Sequence, residues 1–194
     1  LPGLPAGSIG SMAFRPGADE LAFTVNSAQG PSQVFTVDVA SGQVAQWTRA
    51  YAPPGVDMAQ FSDQRIVTWP SFDGRTISGL MNMPPPRFTG RRPVLIDIHG
   101  GPEAQAKVGF MGRYNYLIQE MGLAVIQPNV RGSTGFGKGF TDLDNGFQRE
   151  DAVKDIGALL DWIARQPDLD ASRVVVVGGS YGGYMSLAVS VHFA

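Results

Sequence analysis

The sequence predicts an α/β fold with a parallel sheet built through crossovers, preceded by a small all-β segment. Three observations carry this. Nearly continuous apolar runs at 93–98, 123–127 and 173–177 have the composition of strands buried on both faces. Helical stretches at 114–121, 151–165 and 184–191 fall between or after them, as crossovers require. Residues 8–48 instead show short strands with period-2 alternation and turn residues between them.

The elements follow in order. Leu21, Phe23 and Val25 alternate with Ala22, Thr24 and Asn26, and Phe35, Val37 and Val39 alternate with Thr36 and Asp38. The stretches 15–19 and 40–42 are turn chemistry, and 43–48 is a last strand with Val44 and Trp47. Four short antiparallel strands in about 40 residues match one blade of a β-propeller, or equally a small β-meander. No second copy of the pattern is found. Residues 51–55 (Tyr-Ala-Pro-Pro-Gly) read as a linker. Residues 65–69 and 76–82 form a hairpin around Asp73-Gly74, closed by three prolines at 84–86. The helix at 151–165 places Val153, Ile156, Leu160 and Ile163 on one face. The expected division is therefore 1–50 as the blade-like segment, 51–62 as linker and 63–194 as the α/β part.

Composition narrows the function classes. Of 194 residues, 15 are Lys or Arg and 17 Asp or Glu, a net charge of -2, so a basic nucleic-acid surface is not expected. With no Cys, a thiolate metal site and a cysteine nucleophile are excluded. No apolar run reaches the 18 or so residues of a membrane span, and the first residues lack the charged and apolar regions of a signal peptide. A cytoplasmic location without membrane or nucleic-acid partners is the expectation.

The strongest chemical signal is Gly178-Gly179-Ser180-Tyr181-Gly182, a G-x-S-x-G pattern between a predicted strand and a predicted helix. That is the context of a nucleophile elbow, where a serine on a sharp turn needs neighbours almost free of side chain; Gly178, Gly182 and Gly183 supply that. The helix behind Ser180 offers free N–H groups to a developing oxyanion. A second signal, His99-Gly100-Gly101-Pro102, follows the strand at 93–98, where ligands bind in open α/β sheets. The amides of Tyr181 and Gly101 fit an α/β-hydrolase oxyanion hole, with His99 and Gly100 in support. The loop 129–138 follows another strand and should rim the same place. Arg131 within it reads as a partner for a carboxylate or as a pin for the loop, the pin being the simpler reading. The acids Asp142, Asp144, Glu150, Asp151 and Asp155 lack the spacing of a calcium loop and read as a solvated face and helix N-terminal acids. Arg87, Arg91 and Arg92 read as a solvated loop.

Taken together, the blade-like start, the hairpin at 71–74, the His99 to Pro102 turn, the 129–138 loop and the run 178–185 (GGSYGGYM) resemble the prolyl oligopeptidase family of serine peptidases, nearest its acylaminoacyl-peptidase branch. The resemblance implies a β-propeller joined to an α/β-hydrolase domain. It implies hydrolysis of short peptides through an acyl-enzyme at Ser180, with Tyr181 and Gly101 amides as oxyanion hole and no metal or organic cofactor. A carboxylesterase with the same elbow, or a fragment acting only by association, are the alternatives. The triad order Ser, acid, His is not completed. No Asp or Glu follows Ser180, and His192 lies 12 residues along the same predicted helix, about 18 Å away. The expectation is a fragment truncated at both ends, inactive alone. Its partners would be a peptide substrate and either the absent C-terminal segment or a second copy of itself.

Overall fold

The computed structural model describes residues 3–193. Two compact units result: the chain up to Asp63 together with Lys107–Asn115, and Gln64–Ala106 together with the chain from Tyr116 onward.

The first unit is an antiparallel meander, β1 (Gly7–Phe14), β2 (Glu20–Ser27), β3 (Gly30–Asp38) and β4 (Val44–Gln46), in that spatial order. Alternation puts Phe23, Val25, Phe35 and Val37 on one buried face. Phe23 stands directly opposite Phe35, their rings stacked with centroids 6.1 Å apart. Val39, read as part of the same alternation, lies beyond the end of β3 and is exposed. The last strand is shorter than expected, three residues rather than six.

The second unit is a five-stranded sheet. Its strands are β5 (Gln64–Pro70), β6 (Thr76–Asn82), β7 (Arg92–Ile98), β8 (Ala124–Asn129) and β9 (Leu169–Gly178), in spatial order β5-β6-β8-β7-β9. The last three are parallel. The hairpin β5–β6, which the sequence suggested as a separate closed unit, extends this sheet by antiparallel pairing of β6 with β8, so the sheet is mixed. Helix α1 (Tyr114–Gln119) precedes β8. The short α2 (Lys138–Thr141) and the long α3 (Arg149–Ala164) lie between β8 and β9, and α4 (Tyr181–His192) follows β9. No helix among the described residues is long and apolar enough to cross a membrane.

Alternation within the apolar runs sorts the two faces. Val94, Ile96 and Ile98 of β7, with Ala124 and Ile126 of β8, join Ile156, Leu159 and Ile163 of α3 and Met185 and Val189 of α4 in one core. The buried stripe of α3 runs through Leu159 rather than the expected Leu160, which is only half-buried. The stripe also carries Asp155.

Asp155 and Asp144 depart from the solvated-face reading, both carboxylates being completely buried, whereas Glu150 and Asp151 stand in the first turn of α3 as helix N-terminal acids. Asp155 accepts from Arg131 Nη2 at 2.8 Å, Nε at 3.0 Å, the Arg131 amide at 2.9 Å and Ser71 Oγ at 2.6 Å. Arg131 also pairs with Asp73 at 3.2 Å, and its guanidinium lies 4.6 Å from the centre of the Phe72 ring. Trp69 Nε1 donates to the Asp155 carbonyl at 3.1 Å. One ion pair thus joins α3, the end of β8 and the β5–β6 turn. Burial works against the charge on Arg131, but Asp155 and Asp73 outweigh it and raise its pKa. Arg92 is likewise not a free loop cation, because it lies in β7 and donates to the carbonyls of Thr89 and Phe88.

Two predictions follow from these groups. Asp155→Ala leaves the buried Arg131 guanidinium with Asp73 as its nearest carboxylate and the Arg131 amide without its acceptor, and should cost about 3–5 kcal/mol in urea unfolding, whereas Lys154→Ala at an exposed pair in the same helix should cost under about 1 kcal/mol. The Asp170 carboxyl at the start of β9 is held down to about 2 by the Ser172 hydroxyl, then by Arg173 and the Ser172 amide. Burial raises and Arg131 lowers the Asp73 pKa, for a net lowering. Lowered carboxyls stabilise above the unfolded pKa, about 3.9, and lose that contribution as pH falls through their folded values. Urea midpoints should therefore fall below pH 4, and less steeply in Asp170→Asn.

Candidate active site

The order β8-β7-β9 means that the chain leaves β7 for one side and later returns to the other. The carboxyl end of β7 is thus the point where strand order reverses, and crevices form there in open sheets. Three loops emerge at the carboxyl ends of the parallel strands: His99 to Pro102 after β7, the loop from Val130 after β8, and Gly179-Ser180 after β9.

Ser180 caps α4 with φ 55° and ψ -121°. It is one of two non-glycine residues with positive φ among the described residues, and is solvent-exposed. Such a conformation costs about 1–3 kcal/mol and persists only where the surroundings impose it. The surroundings here are backbone. A Cβ on Gly182 would lie 2.0 Å from the Ile98 carbonyl oxygen, and one on Gly178 would lie 2.5 Å from the Gly182 carbonyl carbon. The first turn of α4 is therefore seated directly on the ends of β7 and β9. Gly183 is less constrained, its nearest neighbour being 3.4 Å from such a Cβ. The helix begins at Tyr181, three residues earlier than the apolar pattern suggested.

The turn after β7 meets the serine. A Cβ on Gly100 would stand 3.4 Å from Ser180 Cβ and 3.9 Å from its Oγ. Gly101 has φ 123°, and a side chain there would strike the Glu103 amide. His99 is half-buried, its Nδ1 2.7 Å from the Gly100 carbonyl and its Nε2 2.9 Å from Ser133 Oγ. The fully buried Ser133 belongs to the loop after β8, so two of the three loops are tied together at His99. The amides of Tyr181 and Gly101 donate to no acceptor among the described residues.

The structure thus gathers Gly178, Ser180, Tyr181, Gly182, Gly183, His99, Gly100 and Gly101 around one spot. It does not bring Arg131 to the serine, because that side chain is consumed by Asp155 and Asp73. His192 is half-exposed at the far end of α4, 3.6 Å from Glu150. Two residues near the site are not singled out as site residues by the sequence. Ser133 carried no motif of its own. Asp144 was set among solvated acids, yet its Oδ2 accepts from the Tyr181 hydroxyl at 3.2 Å. Burial raises the Tyr181 pKa, and the Asp144 charge raises it further. No cluster of three or more metal-ligating side chains occurs among the described residues.

The chain is similar to known proteins both in sequence and in fold. Residues 109–193 match the model of the prolyl oligopeptidase family. The chain is 40% identical over 95 residues to dipeptidyl aminopeptidase BIII of Pseudoxanthomonas mexicana, covering 49% of this chain and 14% of that protein. It is 32% identical over 125 residues to the acylamino-acid-releasing enzyme of Rattus norvegicus, covering 64% of this chain and 16% of the relative. A crystal structure of puromycin hydrolase superposes with a TM-score of 0.84 and 25% identity, over 94% of this chain and 28% of that one. The chain therefore spans between about a seventh and about a quarter of the lengths of the proteins it matches. By sequence over 109–193, and by a fold shared over nearly all of its length, the chain resembles the prolyl oligopeptidase family.

Proposed function

We propose that the chain carries the nucleophile and oxyanion hole of a serine peptidase acting on short peptides. One observation carries the reading: an exposed serine at positive φ, seated between strand and helix by glycines in backbone contact on both sides. Nothing in packing alone requires a strained serine where glycine would sit without strain.

Ser180 Oγ attacks the carbonyl carbon of the scissile bond, and the carbonyl π electrons move onto its oxygen. The free amides of Tyr181 and Gly101 receive that oxyanion. Collapse of the tetrahedral intermediate expels the amine, which takes up a proton, and leaves an ester on Ser180. Water then hydrolyses the ester and restores the hydroxyl. Both halves need a general base beside Oγ. His99 is engaged by Gly100 and Ser133, and His192 lies at the other end of α4. The reading therefore assigns the base, and the acid that orients it, to residues other than those of this chain. The meander is then one propeller blade, and the mixed sheet is the first part of an α/β-hydrolase domain. The names of the relatives cover release of dipeptides and of acylated amino acids, so the substrate proposed here is short peptides as a class.

The test is intact mass of the complete gene product before and after reaction with a fluorophosphonate. A single adduct, lost in Ser180→Ala, is expected. No adduct, or one that survives Ser180→Ala, would overturn the assignment. In the same assay Gly182→Ala forces the Ile98 carbonyl and the first turn of α4 apart. A displacement of about 1 Å can cost around 10²-fold in reactivity, so its labelling rate should fall at least tenfold.

A further inference from the structure

We propose that Asp144 is a positioning residue that holds the oxyanion site from behind, an inference that rests on the reading of Ser180 as nucleophile. Its carboxyl is fully buried. Oδ2 accepts from the Tyr181 hydroxyl at 3.2 Å and lies 3.9 Å from Arg149 Nη2. Oδ1 is buried with no hydrogen-bond partner among the described residues. A buried acceptor left unpaired is costly, and an apolar side chain could fill the same space without that cost. What a carboxyl adds here is an acceptor for the phenol.

The phenol belongs to the residue after the nucleophile. Tyr181 is buried, begins α4 and presents a free amide at its other end. Arg149 lies over its ring at 5.2 Å and the Tyr184 ring is 5.9 Å away. Anchoring the hydroxyl fixes the ring, and the ring fixes the rotation of the peptide unit that would meet the oxyanion. The same carboxyl touches the other side of the site. Gly132 (φ 94°) faces it so closely that a Cβ there would lie 2.4 Å from the Asp144 carboxyl carbon. Ser133 follows and holds His99, whose neighbour Gly100 stands against Ser180. One buried acid thus braces both the Tyr181 amide and the turn after β7. Burial pushes its pKa up, and Arg149 opposes the rise.

The experiment is steady-state hydrolysis of a short peptide p-nitroanilide by the complete gene product carrying Tyr181→Phe, Asp144→Ala, Asp144→Asn or the Tyr181→Phe/Asp144→Ala pair, with Ser180→Ala as control. Losing an oxyanion donor outright costs roughly 10²–10³ in kcat. Losing its support should cost about tenfold in kcat while KM stays within about twofold. The pair should be no worse than either single change, as for two ends of one interaction. Asp144→Asn, which still offers an oxygen to the phenol, should recover most of the loss. Additive losses, or Tyr181→Phe within about twofold of wild type in kcat, would overturn the proposal. Should Asp144→Ala not fold, Tyr181→Phe and Asp144→Asn decide it. Activity surviving Ser180→Ala would instead refute the nucleophile assignment and leave Asp144 without this role.

Discussion

The structure depends most on one close approach: the first turn of α4 lying on the carbonyl of Ile98, with no room for even a methyl group at Gly182. The contact fixes where the helix begins and how sharply the chain leaves β9. It thereby sets the backbone angles of Ser180 and brings the turn after β7 within van der Waals reach of that serine. It works because strands of a parallel sheet end together on one side, so loops distant in sequence meet there. The seat of Ser180 is held by backbone, which cannot relax by changing rotamer.

A second constraint operates one layer back. Arg131 stands two residues after the last residue of β8, a position from which it could reach toward the serine, yet its charge is turned inward onto Asp155 and Asp73. Buried ion pairs add little net stability over apolar packing, but they are demanding about geometry. Here the demand falls on three elements at once: the β5–β6 turn, the end of β8 and the middle of α3. Asp144 plays a comparable part at the start of α4, between Gly132 and Tyr181. The loop after β8 is therefore clamped by two buried acids from the segment that follows it, although it is rich in glycine.

The parts legible in the sequence were those written in local pattern. The valine and isoleucine runs of β7, β8 and β9 announced buried strands, and the glycines around Ser180 announced a tight turn, because sheet periodicity and steric room are properties of adjacent residues. Pairing of β6 with β8 was not legible, since it joins segments more than forty residues apart and neither strand encodes its partner. Burial of Asp155 left a trace. It lies three residues after Ala152 and four before Leu159, on the apolar stripe of α3, and only its charge disguised this. Asp144 left none, because its burial depends on a glycine 12 residues earlier and a phenol 37 residues later.

The positive φ of Ser180 also bears on how such a chain would change over generations. Glycine occupies that backbone conformation without strain, so replacing the serine would relieve a local cost of about 1–3 kcal/mol. That is a large share of the 5–15 kcal/mol that separates most domains from unfolding. If Ser180 is the nucleophile, a copy no longer selected for reactivity would gain part of that cost back by a change to glycine, the rest being offset by glycine's greater freedom in the unfolded chain. On the proposed reading of Ser180 as nucleophile, its retention at this angle would be a trace of selection written in backbone geometry.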